Sequence, residues 1–112
     1  MSCIFCKIVA GEIPSKKLYE DDRVLAFYDI QPKAPVHFLV IPKEHVMNGA
    51  ADVTEANSGV IAHIFEVIAA LTKELELTDF RVITNNGPDA GQTVGHLHFH
   101  VLGGRKLAED MG

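Results

Sequence analysis

His96-Leu97-His98-Phe99-His100-Val101-Leu102 places three of the chain's six histidines at alternate positions, with an apolar residue after each. A β-strand turns successive side chains to opposite faces. Read as a strand, the stretch therefore sends the three imidazoles to one side, roughly 6–7 Å apart, and Leu97, Phe99 and Val101 to the other. The apolar face predicts burial. The imidazole face predicts chemistry, because an unperturbed pKa near ~6.5 makes each ring a potential nucleophile, proton carrier or metal ligand at neutral pH.

The composition narrows the possibilities. A chain of 112 residues, 47 % hydrophobic, forms one domain around one modest core, so one site should explain the function. The formal net charge of -5 and only 10 Lys+Arg, without a cluster, argue against a nucleic-acid polymer as partner. Small anions stay open. No stretch reaches the ~18 apolar residues of a membrane span, and Met1 to Lys7 lacks a basic segment followed by a long apolar one. A cytoplasmic protein with no membrane partner is the expectation.

Working outward from the histidine strand, Arg81 to Thr84 reads as a strand joined to it by a glycine-rich loop, Asn85 to Thr93. Val36 to Ile41, closed by Pro42, is the most buried-looking strand. Lys17 to Glu20 and Arg23 to Asp29 flank Asp21-Asp22 as a hairpin with a two-residue turn. Thr54 to Glu76 reads as an amphipathic helix capped by Thr54, with Val60, Ile61, Ile64, Ile68, Leu71 and Leu75 on its apolar face. His63 falls off that stripe and is expected to face solvent. Cys3 to Val9 forms a short helix. The predicted fold class is α+β: a five-stranded antiparallel meander sheet with one long helix and a short N-terminal helix, in a single domain over residues 1–112.

Two further patterns carry chemistry. Gly87, Gly91 and Gly95 free the loop before the triad to aim several backbone N–H groups at one anion, and Asn85 and Thr93 add side-chain donors. The sequence Gly-x-x-x-x-Gly-Lys-Ser/Thr is absent, so a phosphate here would depend on amides and imidazoles. Cys3 and Cys6 form a Cys-x-x-Cys pair, more consistent with metal binding or redox activity than with a structural disulfide, and zinc needs two more ligands.

These residues together resemble the histidine triad family, whose signature His-φ-His-φ-His-φ-φ is met at every position from His96 to Leu102. Ile13-Pro14, Tyr19 to Asp22, Ala26 to Ile30, Ala34 to Lys43 and Gly91 to His96 match family segments in order. Leu102 to Arg105 resembles the Hint branch, the purine nucleoside phosphoramidases. The resemblance implies a fold with one nucleotide site and assigns His98 as nucleophile, with His100 and His37 contacting phosphate. Asn85, Gly91, Gln92 and Thr93 fall at phosphate-side positions, and Asp29 at the acid that accepts from ribose hydroxyls. Phe5, Ile8, Leu18, Phe27 and Ile30 match the apolar wall for the base, although each is equally consistent with core.

The same resemblance joins Cys3 and Cys6 to His45 and His96 in a Cys2His2 structural zinc site. It implies a homodimeric hydrolase that converts purine nucleoside phosphoramidates to the nucleoside monophosphate through a nucleotidyl-histidine, without metal in the chemical step. A nucleotide-binding or scaffolding module with incidental hydrolysis is the alternative. A transition metal held directly on the triad is a third reading, weakened by the lack of a carboxylate on that strand. Gly95, in place of the usual aromatic, and a tail without Trp, Lys106 to Gly112, depart from the pattern and leave the leaving group open.

Overall fold

Two elements flank a single sheet, and the sheet's alternation decides what each of them covers. The computed structural model describes residues 3–109, so residues 110–112 of the tail lie outside the described residues. In chain order the elements are α1 (Ile4–Val9), β1 (Lys17–Glu20), β2 (Val24–Tyr28), β3 (Val36–Pro42), α2 (Gly59–Glu74), β4 (Phe80–Ile83) and β5 (Phe99–Gly103). Short 3-10 turns occupy Ala50–Asp52 and Pro88–Ala90. All pairings are antiparallel, in the order β1-β2-β3-β5-β4. The first three strands form a meander, after which the chain crosses through α2 to the edge and returns, so that β5 fills the place between β3 and β4.

Register sorts the side chains. Leu39 lies opposite Phe27 and His100, while Val40 lies opposite Ala26 and Phe99. One face therefore gathers Val24, Ala26, Phe38, Val40, Phe99 and Val101 beneath Ile64, Val67, Ile68 and Leu71 of α2. Each of these side chains larger than Ala26 contributes about 1.5–3 kcal/mol by leaving water. The other face gathers Leu25, Phe27, Leu39 and Ile41 against Cys3, Phe5 and Ile8 of the N-terminal helix, and it also carries His37 and His100. The chemistry sits on the side that α1 only partly covers.

Several boundaries differ from the sequence reading. The β5 ladder begins at Phe99 rather than His96, although Leu97, Phe99 and Val101 still share the α2 face. His96 instead turns inward, 0 % exposed, toward the cysteines, and the Thr84 hydroxyl, outside β4, donates to the carbonyl of His98 at 2.8 Å. The long helix starts at Gly59, because Thr54 is spent on a separate turn: its N–H donates to Asn57 Oδ1 at 2.7 Å, and Ser58 N–H returns to its carbonyl at 2.9 Å. The β1–β2 turn holds three residues, with Asp21 Oδ1 accepting from the N–H groups of Arg23 and Val24.

His63 is a correction. Its side chain is only 21 % exposed, and its Nε2 lies 2.6 Å from Asp21 Oδ2. The β1–β2 turn reaches over the start of α2, where Arg23 also donates to Gly59 O at 3.2 Å. A helical wheel cannot show a partner delivered by another element.

Candidate active site and metal cluster

Two backbone groups fix the protons of three imidazoles. The Lys33 N–H donates to His37 Nδ1 at 3.0 Å, which puts the proton of a neutral His37 on Nε2. That nitrogen lies 2.9 Å from His100 Nδ1 and donates to it, leaving the His100 proton on its own Nε2. His98 Nδ1 lies 2.7 Å from the His96 carbonyl, which can only accept, so His98 keeps its proton there and a lone pair on Nε2. An N–H donor and a free imidazole lone pair are thus set side by side, with the His98 and His100 rings 5.0 Å apart.

Burial holds all three rings neutral. It pushes His37 and His98 below the ordinary histidine value, and it pushes His100 down to about 4, with the neighbouring His98 and His37 adding to the effect. Asp29 opposes this, its Oδ2 lying 3.5 Å from His37 Nε2 and 4.0 Å from His100 Nδ1. Asp29, Gln31, Lys33, His37, Asn85, Thr93 and His100 line a cleft of about 410 Å³. His98 is 4 % exposed and packs edge-on against Phe5, whose ring centre is 5.0 Å away.

The second cluster lies at the other end of the same stretch. Cys3 Sγ is 3.4 Å from His96 Nδ1, and Cys6 Sγ is 3.3 Å from His45 Nδ1 and 3.6 Å from His96 Nδ1. Ligands about 2.0–2.3 Å from a tetrahedral zinc stand about 3.5 Å apart, so these separations fit a closed Cys2His2 site. The outer hydrogen bonds fit as well. His96 Nε2–H donates to Pro42 O at 2.8 Å and His45 Nε2–H to Asn48 Oδ1 at 2.9 Å, so both Nδ1 atoms offer lone pairs to a cation. Burial, with the Cys3 sulfur beside it, raises the Cys6 thiol, a repulsion that a bound cation would relieve.

Asp29, His37 and His100 also bring three ligand atoms within 4.8 Å of one another. Here the same test fails. A metal on His37 Nε2 would force the ring proton onto Nδ1, directly against the Lys33 N–H. The arrangement suits an anion meeting N–H donors, and it disfavours a metal on the Asp29, His37 and His100 group.

The HIT domain family matches residues 10–107. This chain belongs to the HIT family. A histidine triad protein of Clostridium difficile superposes with a TM-score of 0.93 at 52 % identity, covering 98 % of this chain and 96 % of that one. A HIT family hydrolase of Clostridium thermocellum gives 0.93 at 43 % identity with the same coverage. A 14 kDa zinc-binding protein of Zea mays is 43 % identical over 93 % of this chain and 83 % of its own length.

Some residues that the HIT resemblance placed at the nucleotide lie elsewhere. Leu18 packs into the α2-side cluster, through the sheet from the histidines, at the irregularity between Lys17 and Tyr19 in the β1–β2 register. Ile30 is 92 % exposed beyond the last β2–β3 pair, between the cleft residues Asp29 and Gln31 and outside the buried Phe5 cluster. Phe5, Ile8 and Phe27 do converge in one buried cluster, in which Phe5 packs against His98. Gln92 does not reach the cleft: its amide accepts from Gly87 N–H at 2.7 Å and donates to the carbonyls of Asn48 and Val94. The Gly91 N–H is spent on Pro88 O at 3.0 Å, and those of Ala90 and Gln92 on Gly87 O. The loop is therefore a folded turn, with Gly87 and Gly91 at positive φ, rather than an open nest of amides. Asn85 and Thr93 are what it presents to the cleft. Asn48, three residues after His45, and the Lys33 backbone are functional groups the sequence reading missed; the first had a short-range signal, the second had none.

Proposed function

We propose that the chain is a nucleoside phosphoramidate hydrolase whose nucleophile is His98 Nε2. The observation that carries the reading is the tautomer set: His98 is held with its lone pair on Nε2 and His100 with its proton on Nε2. In the first step the His98 lone pair forms an N–P bond to the α-phosphorus while the P–N bond of the substrate breaks and the amine departs with that electron pair and a proton taken from solvent. Water then attacks phosphorus and gives up a proton to solvent, the His98–P bond breaks with its electron pair returning to His98 Nε2, and nucleoside monophosphate leaves. Splitting the displacement lets one imidazole serve twice. His100 N–H, Asn85 and Thr93 meet the phosphoryl oxygens, preorganised where charge develops. Asp29 accepts from the ribose, and Phe5, Ile8 and Phe27 flank a purine.

Cys3, Cys6, His45 and His96 would hold zinc as a structural ion, tying α1 to the sheet and taking no part in the bond changes. The active form is a homodimer. His98→Ala should lower turnover of an adenosine phosphoramidate by at least about a thousandfold while AMP still binds by calorimetry. Turnover within tenfold of the unsubstituted chain would refute the assignment.

A further inference from the structure

The segment from His45 to Asp52 joins the cysteine–histidine cluster to the loop that borders the histidine cleft. At one end His45 faces Cys6 and passes its outer proton to Asn48 Oδ1 at 2.9 Å. At the other, the Asn48 carbonyl accepts from Gln92 Nε2, and the Ala51 N–H donates to Asn86 Oδ1 at 2.9 Å. Gln92 and Asn86 belong to the loop that presents Asn85 and Thr93 to the histidine cleft. Gly49 lies in the middle with an extended φ of -163°, which any residue adopts, yet a Cβ there would collide with the Asn86 side chain. A side chain at this point would push Asn86 off the Ala51 N–H rather than strain the backbone. A second link is shorter: the carbonyl of His96, a member of the cysteine–histidine cluster, is the acceptor that orients His98.

We propose that residues 45–52 act as a clasp, closed by Gln92 and Asn86, which couples metal binding at Cys3, Cys6, His45 and His96 to nucleotide binding in the cleft. The inference rests on the nucleotide reading above and adds regulation to it. Fixing His45 removes freedom from the clasp, and the clasp in turn holds Asn85 and Thr93 where a phosphate meets them. Each ligand then finds part of its ordering already done, and linkage makes the effect reciprocal. Gln92 and Asn48 are positioning residues in this scheme. Loss of metal would weaken nucleotide binding through the clasp.

The test measures zinc affinity of the full chain by competition with a chromogenic chelator, with and without saturating AMP, while calorimetry records AMP binding to the zinc-loaded protein. AMP should tighten zinc roughly fivefold or more. In Gln92→Ala, in Gln92→Glu, which keeps the acceptor for Gly87 N–H but loses both donors, and in Gly49→Ala, both ligands should still bind while that factor falls toward one. A bracing role alone would lower the melting temperature of these variants and leave the factor intact. AMP binding with no change in zinc affinity overturns the coupling, as does a full factor surviving in the variants. Failure of AMP to bind overturns the nucleotide reading itself, and the coupling with it.

Discussion

An imidazole in this fold acquires its role from what its inner nitrogen faces, and the pH response should follow. His37 is buried and His100 half-buried, each held neutral, so the unfolded chain takes up acid first, near ~6.5. Their folded values lie lower, that of His100 at about 4. Stability is therefore full above pH 6.5, declines as pH falls below it, and levels off under the folded values. For His100 the loss by pH 4 is on the order of 3 kcal/mol. Urea melts at pH 7 and pH 4.5 should show a smaller loss in His100→Gln than in the unsubstituted chain, and equal losses would contradict the burial argument. Activity follows the same sign. Burial also keeps His98 below the ordinary value, so kcat/KM should stay level down to about pH 6.5 and fall only beneath it, measured with a substrate that does not itself titrate there. A rate that stays level to pH 4 with the fold intact would mean the attacking group is not an imidazole.

At the scale of elements, the β1–β2 turn and the start of α2 are joined by a titratable clip. The hydrogen bond to Asp21 raises His63 above the usual histidine value. Asp21 is partly buried, which would raise it, but the bonds from His63, Arg23, Val24 and Tyr19 win and hold its carboxyl well below the carboxylate range. A raised histidine contributes its stability in full below the unfolded value and loses it as pH climbs through the folded one. His63→Ala should thus cost about 1 kcal/mol at pH 6, or about 4 °C in melting temperature, and clearly less at pH 9. A penalty that is the same at both values would count against the ion pair. This contact also marks where sequence reading stops. Periodicity and spacing placed all five strands and both helices, since those signals are local, but of the three triad imidazoles only His100 lies on β5. The late start of α2 depended on Asn57 competing for Thr54, and the inward turn of His96 on cysteines 90 residues away. Gln92 looked like a phosphate ligand because its position in the triad motif is shared, while its actual partners, Asn48 and Gly87, are set by tertiary contact.

At the scale of the whole molecule, the two edges of the sheet are unequal. β1 guards its edge with charge: Lys17 and Lys43 both pair with Glu20, at 2.9 and 2.7 Å. β4 offers Phe80, Arg81, Val82 and Ile83, with Phe80 40 % exposed and β5 as its sheet neighbour on one side. An apolar edge with unpaired backbone groups invites a second strand, and the symmetric solution for identical chains is a two-fold pairing of β4 with β4. Ten strands then run in one sheet. Light scattering at micromolar concentration should give about twice the chain mass of 12.2 kDa. Phe80→Asp places like charges near one another across the two-fold axis and leaves the buried core untouched, so the dimer should weaken by about tenfold or more while the circular dichroism of the subunit is retained. A monomeric mass for the unsubstituted chain would remove the dimer. A dimer indifferent to Phe80→Asp would move the interface away from β4, most directly onto the exposed Phe65 face of α2.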